Sequence, residues 1–246
     1  MKRFAGCCLA FLVLGPATAL GDEPPRHWSY EGKESPEHWG ELAKTCSTGT
    51  RQSPVLLSTR GAITRGAPTK LDIAWGKVTG DAVDNGHTIQ VTVPPGNFLT
   101  YGKQRFELQQ FHFHVPSEHS IDGQLSAMEA HFVHKNAEGR LAVLALMLRS
   151  GQANAVLGPL FASLPPPGGA ASQVQVNLSA MLPKNRAHFA YEGSLTTPPC
   201  TEGVQWIVLL TQPSVSRSQL DRFRVRYAAN ARPTQAWRGR KIEFTQ

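Results

Sequence analysis

The sequence predicts a single, mainly β domain built around a central sheet, with a few short helices at its periphery. Three observations carry that expectation. Short segments of apolar–polar alternation recur along the chain, each bounded by Gly, Pro, Asn or Asp. One segment, VQWIVLL (Val204–Leu210), is apolar without interruption, as a strand buried on both faces would be. Helix-like stretches are few and short, and 246 residues with no repeat period suit one domain with a substantial core.

At the N-terminus, Met1, Lys2 and Arg3 precede a short apolar run, CCLAFLVLG (Cys7–Gly15), and then small residues, ATA (Ala17–Ala19). This is the pattern of a secretory signal, and the run is too short to cross a bilayer. Residues 1–19 are therefore expected to be a signal peptide and 20–246 the folded domain, periplasmic or secreted, with no membrane span elsewhere. A lipoprotein cysteine at Cys7 is disfavoured because almost no apolar run precedes it. Of four cysteines, Cys46 and Cys200 survive processing. In an oxidising compartment they most simply form one disulfide, two separate buried thiols being the alternative. Closing so long a loop stabilises by roughly 4–5 kcal/mol on the chain-entropy model. The formal charge of +7, less the two units of Lys2 and Arg3, comes without a nucleic-acid motif and implies no nucleic-acid partner.

The alternating strands are TIQVTV (Thr88–Val93), FELQQFHFHV (Phe106–Val115), MEAHFVHK (Met128–Lys135) and LAVLALML (Leu141–Leu148). Helices are expected over NAVLGPLFASL (Asn154–Leu164) and SRSQLDRFRVRYA (Ser216–Ala228). LPPPGGAAS (Leu164–Ser172) reads as a surface loop, not a domain boundary.

Chemistry concentrates in QFHFHVPSEH (Gln110–His119). Residues two apart on a strand face one side, so Gln110, His112 and His114 share a face while Phe111 and Phe113 pack a core. MEAHFVH repeats the device, with Glu129, His131 and Val133 on one face. The linker allows a turn, so the two strands can pair antiparallel and bring His112, His114 and His131 together. Three imidazoles around an open fourth position are the arrangement of catalytic zinc, and a donor set without cysteine and poor in carboxylates disfavours calcium, magnesium and iron–sulfur clusters. Gln110 and Glu129, each two residues from a ligand, are placed to fix imidazole tautomers. His119 and His134 are read as spare, His134 because it falls on the face opposite His131.

HWSY (His27–Tyr30), RQSPV (Arg51–Val55), NGH (Asn85–His87), QFHFHVPSEH, EAHFVH, YEGSLTTPPCTEGVQWIVL (Tyr191–Leu209) and NARP (Asn230–Pro233) resemble, in this order, the α-class carbonic anhydrases. The likeness runs from about His27 to the C-terminus. It implies a central, mostly antiparallel twisted sheet with zinc at the base of a conical cleft, and reversible hydration of CO₂ to bicarbonate and a proton. By this resemblance His112, His114 and His131 bind zinc, and water or hydroxide takes the fourth position. Zinc brings the pKa of such a water to about 7, a value itself known from carbonic anhydrases.

The resemblance also assigns Thr196 as the threonine that accepts from this hydroxide and donates to Glu118, since a carboxylate can only accept. Val133, Val143, Leu195 and Trp206 match the apolar wall for CO₂, and the Thr196 N–H and Thr197 side chain match contacts for bicarbonate or inhibitor anions. His87 resembles the proton shuttle, an imidazole titrating near neutral pH. Tyr30, Asn85 and Gln90 match residues that order water between zinc and shuttle, with Gln90 standing where many members carry asparagine. Cys46 and Cys200 match the disulfide of secreted members, whose reduction would loosen the threonine loop as well as the fold. Anions and sulfonamides are the expected inhibitors, and the oligomeric state, a homodimer included, is left open. Two alternatives differ in class. HFHVPSE has the spacing of a cupin motif, which would make Glu118 a ligand, and a non-enzymatic carbonic-anhydrase-like binding module would share the fold without the activity.

Overall fold

The strands differ in how many faces they bury, and that difference orders the sheet. The computed structural model describes residues 27–60 and 69–246; the expected signal peptide lies outside the described residues. In chain order the first strands are β1 (Leu56–Leu57), β2 (Leu71–Ala74), β3 (Lys77–Asp84), β4 (Ile89–Thr92), β5 (Phe98–Tyr101), β6 (Gln104–His114), β7 (Ser120–Ile121) and β8 (Gln124–Leu125). They are followed by β9 (Met128–Lys135), β10 (Leu141–Ser150), β11 (Ser172–Asn177), β12 (His188–Ser194), β13 (Glu202–Leu209), β14 (Ser214–Val215) and β15 (Ile242–Thr245). Helices are short: α1 (Trp39–Leu42), α2 (Thr45–Thr48), α3 (Gly158–Ala162), α4 (Leu178–Met181) and α5 (Arg217–Arg224).

Among the described residues twelve strands make one mixed sheet, ordered β11-β3-β4-β6-β9-β10-β13-β12-β15 along its main path. Neighbours on that path run antiparallel except β10 with β13. The fold class read from the sequence is the one observed. The central strands β9, β10 and β13 are buried on both faces. From β10, Ala142, Leu144, Leu146 and Leu148 enter the larger core, while Val143, Ala145 and Met147 enter a second core with Trp206 and Val208 of β13. Leu160 and Phe161 of α3, Leu178 and Met181 of α4, and Leu220 and Phe223 of α5 close the larger core. Each fully buried side chain of this size contributes about 1.5–3 kcal/mol.

Three local departures from the sequence reading have physical causes. The first is a bulge in β6: opposite β9, Leu108 faces His134 but Gln110 faces Val133, leaving Gln109 as the extra residue. Without it Phe106 and Leu108 would lie on the histidine face; with it they join Phe111 and Phe113 in one core. The second is that α3 contracts to five residues. Pro159 cannot donate a backbone hydrogen bond, so the helix starts around it. Third, α5 ends at Arg224 rather than Ala228, and Arg226 and Tyr227 turn instead to Asp84. It starts where expected, after Ser216, in a capping box in which the Ser216 hydroxyl accepts from Gln219 N and the Gln219 side chain accepts from Ser216 N.

Cys46 and Cys200 are disulfide-bonded across a sequence separation of 154. Among the described residues no helix is long and apolar enough to cross a membrane.

Candidate metal centre and active site

The β6·β9 ladder places His112 directly opposite His131, with His114 opposite Glu129. The three imidazoles converge: ring centroids lie 5.0 Å apart for His112–His114, 5.3 Å for His112–His131 and 4.5 Å for His114–His131. Their ligand atoms all fall within 4.8 Å of one another.

Each ring has one nitrogen occupied by a protein acceptor. His112 Nδ1 donates to Gln110 Oε1 (2.9 Å), His114 Nδ1 to the Asn230 carbonyl (2.7 Å) and His131 Nε2 to Glu129 Oε1 (2.8 Å). A neutral imidazole that donates from one nitrogen offers a lone pair from the other. Three lone pairs therefore remain, on His112 Nε2, His114 Nε2 and His131 Nδ1. His114 Nε2 is buried without a hydrogen-bond partner, which a purely structural histidine would rarely tolerate. Burial, the largest cause in each case, keeps all three rings neutral: His112 is held well below its ordinary pKa, His114 falls to about 4 and His131 is lowered. Neutral nitrogen donors of this number and spacing fit zinc.

Glu129 holds more than the one triad ring. It is completely buried, and its Oε2 accepts from the backbone N–H of Glu118 and of His119, both at 2.8 Å. Its Oε1 accepts from His131 Nε2 and from His119 Nδ1 (2.7 Å). Burial pushes this carboxyl up, but the two imidazoles and their hydrogen bonds together pull it well below the usual range. His119, read from sequence as spare, is thus part of the centre: its Nε2 pairs with the Tyr191 hydroxyl at 2.7 Å, which in turn meets Ser53 Oγ at 3.0 Å. His119, Glu129 and His131 also lie close enough together to be considered as a metal set. The 2.7 and 2.8 Å contacts of Glu129 Oε1 make that cluster a hydrogen-bond relay instead. The signal available in the sequence was the position of His119 directly after Glu118, which alternation arguments do not reach because the chain has left β6. Asn230 and Arg232 were missed as well, since NARP carried no assigned role.

Glu118 is 1% exposed and accepts from the Arg232 backbone N–H at 2.8 Å. Burial pushes its pKa up to about 7, and Glu129 adds to this, while His131, the Arg232 N–H and the Thr196 hydroxyl oppose it. Thr196 is buried close by; Glu118 Oε2 accepts no hydrogen bond of good geometry. Val143 and Trp206 are buried in the second core, with Val133 and Leu195 half-buried against it. The Trp206 ring lies 4.9 Å from that of His131 and donates from Nε1 to the Ser194 carbonyl at 2.9 Å. The Thr197 carbonyl accepts from Cys200 N at 2.8 Å, forming a turn beside the disulfide.

His87 sits half-buried on the loop between β3 and β4, stacked on Trp28 with centroids 3.7 Å apart and planes at 7°. Burial and then His27, whose ring is 6.1 Å away, lower its pKa. Gln90 faces His112 across the β4·β6 ladder. The Asn85 side-chain oxygen accepts from His87 N and Thr88 N, both at 3.0 Å, so it closes the loop's turn. Tyr30 is half-buried, and burial followed by Glu118 raises its pKa.

Comparison with known proteins identifies the family of the chain. The family model of the eukaryotic-type carbonic anhydrases matches residues 34–246. A carbonic anhydrase of Pectobacterium carotovorum is 43% identical over 222 residues, covering 88% of this chain and 90% of the relative. One of Klebsiella pneumoniae is 41% identical, covering 98% and 99%. Among solved structures, α-carbonic anhydrase from Thermovibrio ammonificans, in complex with the inhibitor sulfanilamide, superposes with a TM-score of 0.84 at 37% identity over 88% of this chain and 98% of that one. The chain belongs to the eukaryotic-type, or α-class, carbonic anhydrase family. It is an enzyme, a carbonic anhydrase, and the cupin alternative falls with the fold.

Proposed function

We propose that the chain holds zinc between His112, His114 and His131 and uses it to hydrate carbon dioxide reversibly to bicarbonate and a proton. The observation that carries this reading is the set of three buried or half-buried imidazoles, each anchored through one nitrogen, whose other nitrogens converge. Zinc in that position supplies positive charge and Lewis acidity in a water-poor pocket, lowering the pKa of water and favouring the ionised form of Glu118.

The chain's own residues do the rest. Gln110, Glu129 and the Asn230 carbonyl fix the tautomers of the ligands and their orientation. An ionised Glu118 compels the Thr196 hydroxyl to donate to it, leaving the threonine oxygen to accept from the nucleophile and orient it. Val133, Val143, Leu195 and Trp206 offer neutral CO₂ a dry wall, and Thr196 N–H with Thr197 receives the anionic product. His87 carries the proton to buffer, with Tyr30, Asn85 and Gln90 ordering water on the way. Sulfonamides and small anions inhibit by occupying the same place; the Thermovibrio relative forms a complex with the inhibitor sulfanilamide. The N-terminal leader directs the protein to the periplasm or the medium.

The test is zinc content and CO₂ hydration measured on one purified sample of the full chain and of His131→Ala. The variant is expected to lose both. Stoichiometric zinc retained in His131→Ala would overturn the triad; metal-loaded wild type inactive above buffer would favour a binding module.

A further inference from the structure

His87 is gripped from beneath by the segment that follows α5. Arg226 donates to Asp84 Oδ2 at 3.4 Å, the Tyr227 hydroxyl donates to Asp84 Oδ1, and Asn230 Nδ2 donates to the His87 carbonyl at 3.0 Å. Asp84 is 3% exposed, and its Oδ1 also accepts from Gly86 N at 3.2 Å. Both ends of the loop Asp84–His87 are thereby fastened to one five-residue stretch. That stretch also gives the Asn230 carbonyl to His114 Nδ1 at 2.7 Å. A single segment thus spans from a triad imidazole to the backbone that carries His87. Above it, His27, Trp28, Tyr30, His87 and Tyr227 line a hollow of about 310 Å³, open to solvent.

Asp84 is paired with Ile89 in the β3·β4 ladder and Trp28 stacks on the His87 ring, so the segment after α5 adds its tie to the backbone between those two fixed points. Gly86 has φ +86°, a conformation glycine adopts freely, and the Asn85 turn closes the loop on itself without tying it to the body of the protein. Proton transfer across ordered water depends steeply on where donor and acceptor stand. We infer that Tyr227, acting through Asp84, is a positioning residue that sets His87 relative to the metal triad and so governs the rate of proton export. Neither Tyr227 nor Asp84 touches the reacting atoms. The inference rests on His87 being the shuttle.

The experiment measures kcat and kcat/KM for CO₂ hydration on the zinc-loaded full chain, in weak buffer and with added imidazole. The variants are Tyr227→Phe, Asp84→Asn, His87→Ala and the double variant His87→Ala/Tyr227→Phe. Tyr227→Phe keeps the ring packed 5.5 Å from Phe223, so it tests the hydroxyl alone should Asp84→Asn not fold. It is expected to lose about fivefold in kcat in weak buffer, within the ~100-fold that a 1 Å misplacement can cost. kcat/KM stays unchanged, imidazole restores the rate, and the double variant is no slower than His87→Ala. An unchanged kcat, a parallel fall in kcat/KM, or losses that multiply in the double variant would each overturn the inference. If His87→Ala itself keeps its rate in weak buffer, the shuttle reading falls and this inference with it; if His87→Ala slows and Tyr227→Phe does not, only the inference falls.

Discussion

Glu129 shows how much one side chain can decide. Its two oxygens accept four hydrogen bonds, orienting His131, fixing His119 and stitching the backbone of Glu118 into place. Glu129→Gln keeps the shape but replaces one acceptor by a donor facing N–H groups. Zinc affinity, measured by competition with a chelator, should drop by about 10–100-fold, as for other residues that orient metal ligands; an affinity unchanged within error would mean the orientation of His131 is set elsewhere. At the rim, the same chemistry acts through charge. On the proposed shuttle role, His87 takes a proton only when neutral, so kcat in weak buffer should fall as pH falls through its pKa, which burial and then His27 hold below 6.5. In His27→Ala the second cause disappears while burial remains, so the acid limb of the profile should move up without reaching the free-imidazole value. His27 is well exposed, and 1 M salt should erase the difference between variant and wild type. A profile that does not move would refute the coupling.

The alternation of β6 and β9 was legible in the sequence because one face is aromatic and the other carries the histidines, and a period of two leaves no other way to satisfy both. The bulge at Gln109 was not legible. FELQQFHFHV reads equally well with Phe106 and Leu108 on either face, and only pairing to β9 decides. His134 is the converse case, placed on the correct face but underestimated. It is completely buried beside Trp75, with centroids 5.6 Å apart, and neither ring nitrogen has a hydrogen-bond partner of good geometry. Burial pulls its pKa down to about 3, partly opposed by the Phe132 and Ala142 carbonyls. The unfolded chain takes up this proton near 6.5 and the folded one does not until about 3. Stability therefore declines as pH falls between those values, by about 1.4 kcal/mol per unit for this group. His134→Leu should remove that slope, so urea midpoints of variant and wild type should diverge from pH 7 to pH 5 in favour of the variant. Parallel midpoints over that range would show that His134 carries no such acid cost.

Across the whole molecule, the Cys46–Cys200 bridge joins α2 to the turn before β13 and closes a loop of 154 residues. Its effect divides between stability and activity according to what else holds those two points. Arg232, 3% exposed, donates from its guanidinium to the Cys46 carbonyl at 2.9 Å and to Gln52 Oε1 at 2.9 Å. Gln52 Nε2 donates to the Cys200 carbonyl at 3.1 Å, and the Arg232 backbone N–H holds Glu118. A non-covalent path therefore runs parallel to the bridge, linking the threonine turn to Glu118 once the chain is folded. The bridge acts chiefly on the unfolded chain, where its loss releases entropy worth about 5 kcal/mol. The sequence reading, in which reduction loosens fold and site together, ties the two effects more closely than this geometry requires. For Cys46→Ser/Cys200→Ser the unfolding free energy, obtained from the denaturant midpoint and slope, should fall by an amount near that figure. The CO₂-hydration rate of the folded fraction at 25 °C should stay close to wild type. A variant that keeps its stability and loses its rate would place the bridge, rather than Arg232 and Gln52, in charge of the threonine turn.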